Sequence, residues 1–190
     1  MAFRFLFDHF DWIAPFYDQI IPQPDIRTLI HHGQFPISGR VLDVGGGTGR
    51  VTRALLRVHA DITLVDSSLG MLKVANQNLA IQLARCEAEH LPFASNSFER
   101  VILIDTLHHV VDAAATLREC VRVLKKDGLL LIQEPDIEQW GGKLIALFEK
   151  FLWMRSHLLR AKHVQNLLAP SCQETVIERG NQQYWIICRK

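Results

Sequence analysis

The sequence predicts an α/β domain: a doubly wound, mostly parallel seven-stranded sheet with a C-terminal antiparallel hairpin and helical cover segments. Three observations predict it. Short apolar runs alternate with longer helical patterns from Val41 to Gln133, the rhythm of repeated strand–helix units. Those runs are almost continuously apolar, as strands covered on both faces must be. Near the end, two strand-like runs flank Gly180-Asn181, a tight-turn signal that breaks the rhythm and adds an antiparallel pair.

The elements follow in order. Met1 to His32 precedes the first strand and reads as a helical, amphipathic cover. Val41-Leu42-Asp43-Val44 is the first strand, and Val51 to Val58 its helix. Ile62 to Val65 is the second strand, followed by a helix over Gly70 to Asn78. Ile81 to Ala84 is a short third strand, and Arg100 to Ile104 the fourth. Ala113 to Val123 is helical, and Lys126-Asp127-Gly128 leads into a fifth strand over Leu129 to Gln133. Trp140 to Ala169 reads as a helical lid, before strands at Thr175 to Glu178 and Tyr184 to Cys188. A chain of 190 residues suits one domain spanning 1–190.

The strongest chemical signal is Asp43-x-Gly45-x-Gly47-x-Gly49, where the first strand ends and a helix begins. Glycine permits positive φ and a close ligand approach, and a helix start offers N–H groups without intrahelical partners. In open α/β sheets ligands sit beyond the carboxyl ends of the strands, where strand order reverses. Asp66 ends the second strand, where a carboxylate can accept both hydroxyls of a ribose. The nicotinamide fingerprint fails, because Arg50 and Thr52 stand where G-x-G-x-x-G needs its last small residue. A phosphate-binding loop ending Gly-Lys-Ser/Thr fails for want of the lysine.

The glycine motif resembles the first motif of class I S-adenosylmethionine-dependent methyltransferases. The resemblance continues in order through Val65 to Leu72, Cys86 to Phe93, Asn96 to Val110 and Leu117 to Gly128. It is nearest in flavour to the ubiquinone/menaquinone-type small-molecule subgroup, and it spans about Trp12 to Asp136. It implies that S-adenosyl-L-methionine is the cofactor, with Gly45, Gly47 and Gly49 lining its methionine part. Asp43 would hold the loop or the cofactor's amino group, and Asp66, with Ser67 beside it, the ribose. Met71 would pack on adenine, Glu87 would accept from its amino group, and the Ala88 N–H would reach a ring nitrogen. The family usually carries aspartate where Glu87 stands. Tyr17 matches an N-terminal tyrosine that approaches the methionine carboxylate, and Asp105 could meet the amino group or the acceptor. Plainer roles stand beside these: Asp66 as a helix N-cap, Met71 as core, Tyr17 as a helix anchor.

Displacement at a sulfonium needs alignment and exclusion of water above all. A general base matters only for an acceptor that is protonated until it reacts. His108 and His109, just after the fourth strand, are the candidates, since imidazole titrates in the right range; a structural role is the alternative. Glu134 is a weaker candidate. The aromatics Phe3, Phe5, Phe7, Phe10, Trp12, Phe16, Trp140, Phe148, Phe151 and Trp153 are offered by the two cover segments for an apolar acceptor pocket, with Gly141-Gly142 as a hinge.

Bulk properties narrow the partners. With 21 basic and 20 acidic side chains the net charge is +1, which gives no electrostatic footprint for nucleic acid. No Asp/Asn-Pro-Pro-Tyr/Phe sequence and no Pro-Cys nucleophile speaks for a nucleobase substrate. No stretch approaches the roughly 20 apolar residues of a membrane span. Cys86, Cys120, Cys172 and Cys188 lack CxxC or zinc spacing, so four reduced thiols, a cytoplasmic location and no metal are expected. A small-molecule methyl acceptor is the expected partner, with oligomeric state open. A protein or RNA methyltransferase and a non-catalytic cofactor-binding scaffold are the alternatives.

Overall fold

The computed structural model describes residues 9–21, 25–139 and 157–190. Seven strands form one sheet: β1 (Val41–Val44), β2 (Ile62–Asp66), β3 (Gln82–Arg85), β4 (Phe98–Ile104), β5 (Leu124–Pro135), β6 (Glu174–Gly180) and β7 (Gln183–Arg189). Their order is β3-β2-β1-β4-β5-β7-β6. Strands β1 to β5 pair in parallel, and β7 runs antiparallel between β5 and β6. The helices among the described residues are α1 (His9–Ile20), α2 (Ile26–Gly33), α3 (Arg50–Leu55), α4 (Leu69–Asn78), α5 (Ala113–Val123) and α6 (Ala161–Leu168). The doubly wound sheet and its C-terminal hairpin are as the sequence predicts.

The chain starts at β1 in mid-sheet, winds outward through β2 and β3, then returns to lay β4 on β1's other side. Strand order therefore reverses between β1 and β4, and the loops leaving their carboxyl ends face one crevice. Residue period two decides which face each side chain serves. Leu42, Val44, Val101, Leu103, Leu130 and Ile132 join the core under α5 and α6. Val41, Ile102, Ile104, Leu129 and Leu131 join the opposite core, with Leu29, Val51 and Leu55 from α2 and α3. All four β1 residues are buried, Asp43 among them, so the one carboxylate in an otherwise apolar strand needs a partner inside the protein.

Several boundaries differ from the expectation. β5 begins at Leu124, not Leu129, because Leu124 already pairs with Phe98 across a register shift. Lys126-Asp127-Gly128 is thus an irregularity within the strand, with Asp127 at φ 63°. The cover segment before β1 consists of α1 and α2 in its described part. Of the expected lid, only α6 and the residues leading into it are described. Phe3, Phe5, Phe7, Trp140, Phe148, Phe151, Trp153 and the Gly141-Gly142 hinge lie outside the described residues.

The expectation of four reduced thiols is corrected. Cys172 and Cys188 form a disulfide, whereas Cys86 and Cys120 are free. The antiparallel register sets Thr175 opposite Cys188, so the chain entering β6 brings Cys172 within 5.9 Å of Cys188, Cα to Cα. That distance lies within bridging range, and neither residue's sequence spacing announces it. Among the described residues, no helix is long and apolar enough to cross a membrane.

Candidate active site

At the end of β1 the backbone turns through Gly45, Gly46 and Gly47 before α3. Gly45 sits at φ 68° and Gly47 at φ 57°, a region that costs a side-chain-bearing residue roughly 1–2 kcal/mol. The two glycines differ in what surrounds them. A Cβ on Gly45 would run into the Thr106 side chain, whereas one on Gly47 would meet nothing nearer than Met71 Sδ at 3.9 Å. Gly45 is therefore needed for packing inside the protein, and Gly47 borders open space. That space above a backbone turn is the kind of cradle a nucleoside cofactor needs.

Asp66 anchors the turn. Its Oδ2 accepts the N–H of Gly47 at 2.9 Å, and its Oδ1 accepts the N–H of Ser68 at 2.8 Å. It is not the N-cap of α4: Ser68 is, accepting from the Met71 N–H at 3.1 Å. The capping alternative for Asp66 is thus set aside. Met71 is buried, 2% exposed, yet it borders Gly47, so its core role and its place beside the turn coincide. Ser67 is exposed, and its carbonyl accepts from Arg85 Nε at 2.8 Å.

Asp43 lies beneath the turn, 1% exposed, with Oδ2 accepting from Thr52 Oγ1 at 2.5 Å. Burial, with Asp66 adding to it, pushes its pKa up to about 6. Asp105 leaves β4 at φ 53°. Burial and the Glu134 carboxylate raise its pKa to about 6, against the pull of Arg50, whose guanidinium stands 3.5 Å away. Tyr17, Asp43, Gly45, Gly47, Arg50 and Asp105 line one narrow cleft of about 30 Å³, room for about one water. Helix α1 roofs this region. Asp18 accepts from Thr48 Oγ1 at 2.5 Å and from Arg53 at 2.9 Å; Asp11 accepts from Ser68 Oγ and Gly70 N, both at 2.6 Å. These two aspartates, with Thr48 and Arg50, escaped the sequence reading. Asp18 stands beside the Tyr17 that was singled out, and only the folded geometry reveals its partners.

The raised aspartates give a pH prediction. A carboxyl whose folded pKa exceeds its unfolded value stabilises the fold below the unfolded pKa, and loses that contribution as pH rises through the folded one. For Asp43 the window runs from about 4 to about 6. Asp43→Asn keeps an acceptor for Thr52 without the titration. Relative to the native chain it is expected to gain about 2 kcal/mol between pH 4.5 and 7. Urea unfolding at both pH values checks this; parallel stabilities across the window would refute it.

Not all predicted residues converge. His108 is 1% exposed, with Nδ1 against Glu134 Oε2, so it is corrected from acceptor-facing base to buried partner of an acid. His109 is half-buried, its ring 3.9 Å from that of His108 and 5.0 Å from Phe10, centroid to centroid. Glu87 is exposed and Ala88 half-buried at the end of β3, where the neighbouring Cys86 N–H donates to Asp66 O at 3.1 Å. Neither lines the cleft with Asp43 and Asp105. Gly49 turns the chain into α3 at φ 79°, where no side chain caps the helix. Among the described residues no His/Cys/Asp/Glu cluster could hold a metal.

Residues 42–132 match the family described as methyltransferase domain. The chain is 37% identical over 117 residues to the demethylmenaquinone methyltransferase of Thermotoga maritima, covering 58% of this chain and 51% of the relative. It is 40% identical over 119 residues to a ubiquinone/menaquinone biosynthesis C-methyltransferase of Stenotrophomonas maltophilia, covering 57% and 47%. The chain thus spans about half the length of these curated relatives. Among solved structures, an S-adenosylmethionine-dependent methyltransferase of Thermotoga maritima superposes with a TM-score of 0.75 at 20% identity, covering 95% of this chain and 97% of the other. Phosphoethanolamine N-methyltransferase 2 of Haemonchus contortus, in complex with S-adenosyl-L-methionine, gives 0.66 at 22%, covering 80% and 37%. Such distant likenesses establish the fold.

Proposed function

We infer that this chain, whose residues 42–132 match the methyltransferase-domain family, is an enzyme that transfers the methyl group of S-adenosyl-L-methionine to a small apolar or aromatic acceptor. The relatives' names point to a quinone-type acceptor. The observation that carries the reading is the Asp66 carboxylate bonded to Gly47 N–H, beside a turn whose open side a Cβ would fill. A carboxylate offers about four acceptor sites, so Asp66 can anchor the turn and still take sugar hydroxyls. Gly47 presents backbone to the cofactor, Gly49, packed against Leu79, shapes the turn behind it, Met71 borders the cofactor's place, and Asp43 and Asp105 supply negative charge for an amino group. Tyr17 closes the cleft from α1. Ser67, Glu87 and Ala88 stay in the proposal as the adenine side, next to Asp66 along the strand ends.

When bound, the cofactor supplies a sulfonium methyl that an aligned nucleophile displaces. The chain's own work is to orient and to exclude water, so alignment supplies most of the acceleration. His109, half-buried beside His108, is the residue assigned to take a proton from a phenolic or enolic acceptor. His109→Ala is expected to lower turnover about 10²-fold or more while changing S-adenosylhomocysteine affinity less than about threefold. Single-turnover transfer to a reduced naphthoquinone, set beside calorimetry, checks this; equal loss in both would assign His109 to structure.

The reading as a whole is tested by titrating the chain with S-adenosylhomocysteine and with NAD, then offering quinols, total RNA and protein with labelled cofactor. Binding of the first and labelling of quinols is expected. No binding would overturn it, and labelled RNA or protein would move the acceptor class. Binding without any labelling would favour the scaffold alternative. A cytoplasmic location remains part of the proposal; the Cys172–Cys188 bridge is the feature that weighs against a reducing compartment.

A further inference from the structure

We propose that Glu134 is the positioning residue of this site. One buried carboxylate at the end of β5 holds the 105–109 loop against the glycine turn and orients the His108 imidazole behind His109. The proposal rests on the cleft and the His109 role given above. Glu134 is 2% exposed and points from the strand next to β4. Its Oε1 accepts the N–H of Thr106 at 3.0 Å and of Leu107 at 2.7 Å, and its Oε2 meets His108 Nδ1. As the chain leaves the sheet at Asp105, these two backbone N–H groups lose the ladder. Buried and unpaired they would be costly, and the carboxylate satisfies both.

Two consequences follow, one on each side of the reacting centre. Toward the cofactor, the anchored Thr106 lies against Gly45 where no Cβ fits, and its Oγ1 donates to Ile104 O at 3.0 Å and Gly45 O at 3.3 Å. The end of β5 is thereby coupled to the turn at the end of β1. Toward the acceptor, an Nδ1 that faces a carboxylate carries the proton. That fixes the tautomer and plane of the ring lying against His109, tilted 50° to it. Other groups bear on the same place. Asp105 opens the loop with Arg50 beside it, Tyr184 of β7 stands opposite Glu134 in register, Asp136 follows two residues on, and the His157 N–H donates to His108 O at 2.7 Å. Tyr184 and Asp105 both feel the Glu134 charge.

A mere loop anchor needs only an acceptor oxygen, which glutamine supplies; a residue that sets the histidine tautomer needs the carboxylate. Glu134→Gln and Glu134→Ala in the full chain therefore separate the two. In Glu134→Gln, Oε1 keeps Thr106 and Leu107, so S-adenosylhomocysteine affinity should stay within about threefold, while ¹⁵N ring shifts move the His108 proton from Nδ1 to Nε2. In Glu134→Ala both backbone anchors go, and affinity should fall about tenfold or more. A glutamine variant with the native tautomer overturns the proposal. So does a folded alanine variant that binds as the native chain does. Should the alanine variant not fold, the tautomer result decides alone. Failure of the native chain to bind S-adenosylhomocysteine would strike the cofactor reading instead, and the ring shifts would still judge the Glu134–His108 pairing.

Discussion

Asp66→Ala is expected to weaken S-adenosylhomocysteine binding about 100-fold or more while leaving the sheet intact. The side chain holds Gly47 N–H at 2.9 Å and Ser68 N–H at 2.8 Å. A hydrogen bond to a charged group contributes about 1.5–3 kcal/mol. Losing the two sugar contacts proposed for the same carboxylate, at the low end of that range, amounts to about 3 kcal/mol, or two decades in affinity. The fold should survive, because Asp66 is only half-buried and Ser68, not Asp66, caps α4. Asp66→Asn, which keeps one acceptor oxygen, should fall between. Calorimetry on a variant with native circular dichroism is the measurement, and an affinity within threefold of the native chain would place the sugar elsewhere.

Changing two glycines two residues apart should produce opposite phenotypes. Gly45→Ala puts a Cβ at φ 68° into the Thr106 side chain. Backbone strain of about 1–2 kcal/mol adds to a core clash of about 1–3 kcal/mol, so the variant should lose about 3 kcal/mol of stability, read by urea unfolding. Gly47→Ala bears only the strain, since its Cβ meets nothing nearer than 3.9 Å. It should fold with a loss of about 1 kcal/mol but bind S-adenosylhomocysteine at least tenfold more weakly, because the new methyl stands in the cradle. Equal stability losses with undisturbed binding in Gly47→Ala would mean that nothing docks on that face.

The sheet was legible because burial on both faces forces mostly apolar runs at β1, β2, β4 and β5, and because Gly180-Asn181 marks the hairpin. The glycine turn was legible because positive φ favours glycine there, and Asp66 stands where the Gly47 N–H needs an acceptor. What sequence could not show is who meets whom across the switch point. Asp18 with Thr48, Thr106 with Gly45, and Glu134 with His108 are separated by 26 to 61 positions, and nothing local marks them. His108 and His109 look equivalent as neighbours, yet the turn after β4 sends one inward to an acid and leaves the other half-open. Cys172 and Cys188 look like two small apolar residues until the chain entering β6 brings Cys172 beside β7.

Helix α1 brings two carboxylates to the domain as well as its buried Ala14. Asp11 and Asp18 face the domain, while Trp12 is 84% and Phe16 59% exposed. Its ionic attachment, Asp18 to Arg53, weakens as ionic strength rises. Sub-global opening of this helix can proceed without melting the sheet. Because Tyr17 on the same helix lines the cleft of about 30 Å³, the residence time of the proposed nucleoside is expected to depend on this clasp, lengthening in dilute salt and shortening in concentrated.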